Sequence, residues 1–171
     1  MKRLKRAPAA VEIAHRHYQR GHKQEARQLC EELLLQTPNH VEALAFLGVL
    51  ELEAGQPARA VERLARVVEL APTGENLCNL GLAYGRLSRF AEATEAMARA
   101  VQLAPTRAEL VYNLGVVLLD AGDLPKARLC LMRAADLRAP RPTARAKASP
   151  APVRPRAGAA AARGLRLARL S

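Results

Sequence analysis

Apolar positions recur along this chain at intervals of three and four residues, in stretches of about fourteen residues with helical rather than alternating periodicity. Each stretch runs into a glycine, a serine or a proline, and the whole arrangement repeats. Ala14, Gly48, Gly81 and Gly115 stand 34, 33 and 34 residues apart, the period of a helix-turn-helix repeat. Seven residues after each come Gly21, Gly55, Ser88 and Gly122, five further on Ala26, Ala60, Ala93 and Ala127, and Pro38, Pro72, Pro105 and Pro140 close the units. The pattern predicts paired antiparallel helices at 9–20 and 23–36, 41–54 and 57–70, 74–87 and 90–103, and 108–121 and 124–137, with ends good to about two to four residues.

Each recurring residue has a physical task. A small residue at 14, 48, 81 and 115 lets the first helix of a pair approach the second closely, and the alanines at 26, 60, 93 and 127 serve that contact from the other side. Gly21, Gly55 and Gly122 can take the left-handed conformation that ends a helix; Ser88 lacks that freedom. The prolines stop the second helix before the next unit begins.

Segments such as "NLGLAYGRLSRFAEATEAMARAVQLAP" and "YNLGVVLLDAGDLPKARLCLMRAADLRAP" carry this register nearly position by position, and over residues 7 to 140 the chain resembles the tetratricopeptide repeat (TPR) family. The resemblance implies an all-α, right-handed solenoid of four repeats, at about 7–40, 41–73, 74–107 and 108–140. It also implies a non-catalytic scaffold that binds a protein segment in a concave groove. A basic leader (1–6) precedes the repeats and an Ala/Arg/Pro-rich tail (141–171) follows them.

Composition supports the solenoid. Half the residues are hydrophobic, yet 3% are aromatic and none is Trp, so the core must be Leu, Val and Ala packed between stacked helices, for which three or more units suffice. The net charge of +11 suggests an anionic partner until it is partitioned. Of 27 Lys and Arg residues, four lie in 1–10 and eight in 141–171, leaving fifteen against all sixteen acidic residues in the repeats. The folded array is therefore nearly neutral. Neither a basic stripe nor base-stacking aromatics mark a nucleic-acid binder, so tethering to nucleic acid or an anionic surface rests on the tail alone. Low hydrophobicity, like charge and scattered proline predict that tail to be disordered. Its proline-free end, 159–170, has no clean apolar face, because Leu165 falls opposite Leu167 and Leu170. A membrane-surface helix needs one.

Glu12 and the histidines interrupt the apolar stretch after "MKRLKRAPAAV", so no export core forms, and no run of 18 apolar residues is long enough to span a bilayer. The expectation is a cytoplasmic protein without membrane contact. Cys30, Cys78 and Cys130 are odd in number and widely spaced, and His15, His17 and His22 lack a completing ligand, so no disulfide, zinc or other metal site is expected. There is no phosphate-binding glycine loop, nucleophile elbow or HExxH, which predicts no enzyme and no cofactor. Glu62 with Arg66 and Glu95 with Arg99 are spaced for helical ion pairs.

Binding residues are expected on the first helices. The groove candidates are Tyr18, Ala45, Val49, Leu52, Asn79, Leu82, Tyr112, Asn113, Val116 and Leu119, an apolar lining with two amides, to which Val11, His15 and Cys78 contribute. Family members that grip a chaperone's C-terminal carboxylate carry basic residues where this chain has Ala45, Val49, Leu82 and Val116. Asn79 and Asn113 are similar to the asparagine ladder of O-linked N-acetylglucosamine transferases, where such amides hold a peptide backbone; Glu12 and Phe46 break that ladder in the first two repeats. Runs such as "CEELLLQTPNHVEALAFLGVLELEAGQPARAVERLARVVELAP" resemble the leading repeats of bacterial proteins that continue into glycosyltransferase or sulfotransferase domains. That resemblance implies an alternative function, a detached or truncated substrate-recruiting arm. Finally, Leu129 and Met132 stand where repeats 2 and 3 have Glu62, Ala65, Glu95 and Ala98, a candidate capping or self-association surface on the last repeat.

Overall fold

The structure is a computed structural model that describes residues 7–139, with side chains from residue 10 onward. The leader 1–6, Pro140 and the tail 141–171 lie outside the described residues. Among the described residues there are eight helices and no strand: α1 (Ala7–Gln19), α2 (Lys23–Gln36), α3 (Val41–Glu53), α4 (Pro57–Leu70), α5 (Gly74–Arg86), α6 (Phe90–Leu103), α7 (Ala108–Asp120) and α8 (Leu124–Arg138). Each odd-numbered helix pairs with the even-numbered one after it, and each pair stacks on the next. This is a TPR solenoid.

Local chemistry sets the ends. Side chains of His40, Thr73 and Asp123 accept hydrogen bonds from the backbone N–H groups of Ala43, Asn76 and Lys126, satisfying donors that a helix start leaves orphaned. Gly21, Gly55 and Gly122 turn the chain at φ 85°, 71° and 81°. Ser88 takes the same left-handed turn at φ 58°, although it has a Cβ that disfavours it. The turn geometry thus overrides the side chain's preference.

The close approach within each pair is real and specific. A Cβ added at Gly48 would lie 2.7 Å from Leu64 Cγ, at Gly81 2.6 Å from Met97 Cγ, and at Gly115 2.9 Å from Leu131 Cγ. In the same register, sixteen residues on, repeat 1 has Ala14 facing Cys30, both fully buried in one cluster. A methyl group gained on one helix thus coincides with a smaller side chain on the other, as conserved core volume requires. The alanines expected at this contact are fully buried, and the Ala93 carbonyl lies 3.2 Å from the Gly81 Cβ position.

The expected ion pairs Glu62–Arg66 and Glu95–Arg99 do not form. Arg66 turns instead to Glu69 at 2.8 Å and to Asn39 at 3.3 Å, because a guanidinium has donors enough for two partners and an amide from the preceding loop lies within reach. Charge does enter the core elsewhere. Glu51 on α3 is fully buried, with one oxygen accepting from Arg63 Nε at 2.9 Å and the other unpartnered.

Candidate functional site

Successive first helices touch one another, α3 with α5 and α5 with α7, whereas no comparable contact joins successive second helices. The first helices therefore line the tighter, concave side. On it, Ala45, Val49 and Leu52 of α3 are half-buried, as are Asn79 of α5 and Asn113 and Val116 of α7. Leu82, Tyr112 and Leu119 stand out to solvent at 39%, 40% and 42% exposure. Exposed apolar side chains thus stand on α5 and α7, with half-buried ones on all three helices. Core residues are excluded from this exposed set because the other face of each helix is consumed by packing: Leu77 and Leu80 of α5 and Leu110 and Leu114 of α7 are buried.

The two amides differ. Asn113 Nδ2 donates to Cys78 Sγ at 3.2 Å, a tie between neighbouring first helices. That bond partly opposes the burial that pushes the Cys78 thiol upward in pKa. Asn79 makes no side-chain hydrogen bond within the described residues, leaving its donor and acceptor open to a ligand. Tyr18 is likewise engaged: its hydroxyl donates to Glu53, its ring meets Phe46 edge-on at 5.7 Å, and Lys23 Nζ reaches the other Glu53 oxygen at 2.7 Å. The Glu53 hydrogen bond, then burial, push the Tyr18 phenol up to about 12. Against burial, which would raise it, bonds from Lys23 and Tyr18 hold the Glu53 carboxyl below its usual range. These groups bind one repeat to the next.

The first helices carry an excess of exposed acids that the apolar pattern did not reveal. The exposed charges on α3, α5 and α7 are Glu42, Glu53, Glu75, Glu109 and Asp120, against Arg86. Arg107 ties two of them, pairing with Glu75 and standing 3.6 Å from Glu109. Three of these acids occupy first turns, where a helix N-terminus favours negative charge, and that position was the available signal.

At the far end, Leu129 and Met132 are exposed at 67% and 54%. Beside them lies an open cleft of about 620 Å³ lined by Tyr112, Leu131, Ala134, Ala135, Arg138 and Ala139. Among the described residues, no cluster of His, Cys, Asp and Glu could hold a metal, and no helix is long and apolar enough to cross a membrane.

Models of the tetratricopeptide repeat match residues 17–77 and 78–144, together well over half the chain, which therefore belongs to the tetratricopeptide repeat family. Among solved structures it is similar to "Crystal structure of MamA", at 28% identity over 74% of each chain and TM-score 0.68. It is also similar to "MamA 41-end from Desulfovibrio magneticus RS-1", at 26% identity over 82% of this chain and 76% of that one, TM-score 0.70. A third similar structure is "MamA RS-1 ArsTM double mutant", at 26% identity over 85% and 80%, TM-score 0.71. No curated protein matches. Repeats and fold alike place the chain with protein-interaction scaffolds.

Proposed function

We propose that the chain is a non-catalytic scaffold whose concave groove holds an apolar protein segment. The observation that carries this reading is the exposure of Leu82 and Leu119 on first helices that also carry an unengaged amide, Asn79. Exposed aliphatic side chains on a rigid concave face favour ligand burial at little ordering cost, and a free amide can pair with the backbone of an extended segment. Of the two asparagines, Asn79 is the gripping residue and Asn113 a structural tie. The excess of exposed acids disfavours an acidic ligand.

Panning a random peptide library against the full chain, followed by affinity measurement at two ionic strengths, tests this. Leu82→Glu should abolish most binding, and Asn79→Ala should weaken it by about 1 kcal/mol. Peptides that bind with wild-type affinity to both variants would remove the groove from the function.

A further inference from the structure

The stacking of pairs presents one surface four times, and among the described residues three copies are covered. In repeat 3 the surface is Cys78, Met97, Ala100, Val101 and Ala104, and it lies in one cluster with Leu110, Leu114 and Val117 of α7. In repeat 2 it includes Leu64 and Val68, beneath Leu80 and Ala83 of α5. In repeat 1 it includes Val11, Cys30 and Leu33, clustered with Ala43, Leu47 and Leu50 of α3. The covering residues share one register, i, i+4 and i+7, always with Leu in the middle; the first position is apolar on α3 (Ala43) and α7 (Leu110) and is Asn76 on α5. Thirty-four residues beyond the repeat 3 set come Tyr112, Leu131, Ala134, Ala135 and Arg138, the lining of the open cleft. Leu129 and Met132 lie outside that lining, so the terminal surface centres on Leu131 and Ala135.

We infer that this cleft is a docking site for an amphipathic helix of another protein, with aliphatic residues at i, i+4 and i+7 and a carboxylate in its first turn. The apolar residues at i+4 and i+7 follow from continuity with all three internal interfaces, and that at i from two of them. The carboxylate follows from charge: α3, α5 and α7 each carry a glutamate in the first turn. A helix packed antiparallel on α8 would set its first turn beside Arg138, whose guanidinium lies over the Tyr112 ring at 5.3 Å. Repeats 2 and 3 have Ala71 and Ala104 in place of Arg138. A second copy of this chain fits less well, because α1 offers Ala9, Ile13 and Arg16 at the covering positions and would bury the Arg16 charge.

The probe is a synthetic helical peptide with Glu in its first turn and Leu, Leu and Val at i, i+4 and i+7 on an Ala/Gln/Lys background, titrated against the full chain. It should bind saturably, whereas a peptide with the same leucines moved off that spacing should not. Ala135 is solvent-exposed, so Ala135→Glu should leave the circular dichroism spectrum unchanged while weakening binding at least tenfold. Arg138→Glu should weaken it too, with recovery when the peptide's Glu becomes Lys. Leu129→Glu in the outer face and Leu82→Glu in the groove should stay within twofold of wild type, which separates this site from the groove reading. Undiminished affinity of Ala135→Glu, or equal binding of both peptides, overturns the inference. So does a dimer by light scattering whose mass falls to the monomer on Ala135→Glu, since a second copy then fills the cleft.

Discussion

Repeats 1 and 2 solve at higher cost a packing problem that repeats 3 and 4 solve with apolar bulk. The same register position, on the first helix of each pair, holds His17, Glu51, Tyr84 and Leu118 in turn. In the first two repeats it leaves buried polar atoms without partners, His17 Nδ1 and Glu51 Oε2; in repeat 4 it is a buried leucine, and Tyr84 packs partly covered on the core. An unpartnered buried polar atom costs about 1–3 kcal/mol. Since a solenoid's stability is a sum of local and nearest-neighbour terms, this difference makes the two halves unequal. The polar tie among Tyr18, Lys23 and Glu53 offsets part of the deficit. Amide hydrogen exchange should accordingly be faster in α1–α4 than in α5–α8, and equal protection across both halves would dissolve the comparison.

The largest effect should come from stranding the buried acid. Arg63→Ala leaves Glu51 without its cation and should cost about 3–5 kcal/mol by chemical denaturation, whereas Glu51→Leu combined with Arg63→Met should be neutral or stabilising. An Arg63→Ala variant within half a kcal/mol of wild type would mean that the pair is not buried as described.

Alkali should act on the first half through Cys30, whose thiol is pushed up to about 11 by burial, with Glu31 adding to it. A group with a raised folded pKa stabilises fully below its unfolded value, here 9.0, and loses that contribution as pH rises through the folded value. Between pH 9 and 11 stability should therefore fall by on the order of 2 kcal/mol on this account. Cys30→Ala should flatten that decline, and an unchanged pH profile would argue against it.

The helix-pair contact tests whether the halves can be exchanged. Gly81→Ala should cost about 1–3 kcal/mol by overpacking against Met97, and adding Met97→Cys, which recreates the Ala14 and Cys30 pairing of repeat 1, should restore part of it. No rescue in thermal melts would show the pairing to be coincidental. The smallest effect belongs to the turn in repeat 3. Ser88→Gly should stabilise by about 1 kcal/mol, because glycine takes positive φ without the Cβ clash; a loss of melting temperature would show that the serine side chain earns its place by a contact of its own.

Helix boundaries were legible to within about two residues because glycine and proline act locally, through φ and a missing N–H, with no help from distant neighbours. The candidate groove residues were legible as helix positions, since the 34-residue register places each on a first helix. Their states were not. Nothing in the spacing separated Asn79, open, from Asn113, spent on Cys78, because that bond joins residues 35 apart. The choice of Arg66 between Glu62, Glu69 and Asn39 was equally hidden, as was the open cleft lined by Leu131 and Ala135.

The sequence by itself determined the number of helices, their ends, their pairing and the small residues at each close approach, because all of these follow from backbone preference and periodic apolar burial. Tertiary structure alone decided that a glutamate could sit fully inside repeat 2 beside Arg63, that a serine would accept a glycine's turn, and which polar groups remained free. Those outcomes depend on distances between side chains brought together only by stacking, where packing energy outweighs the local preference of any one residue.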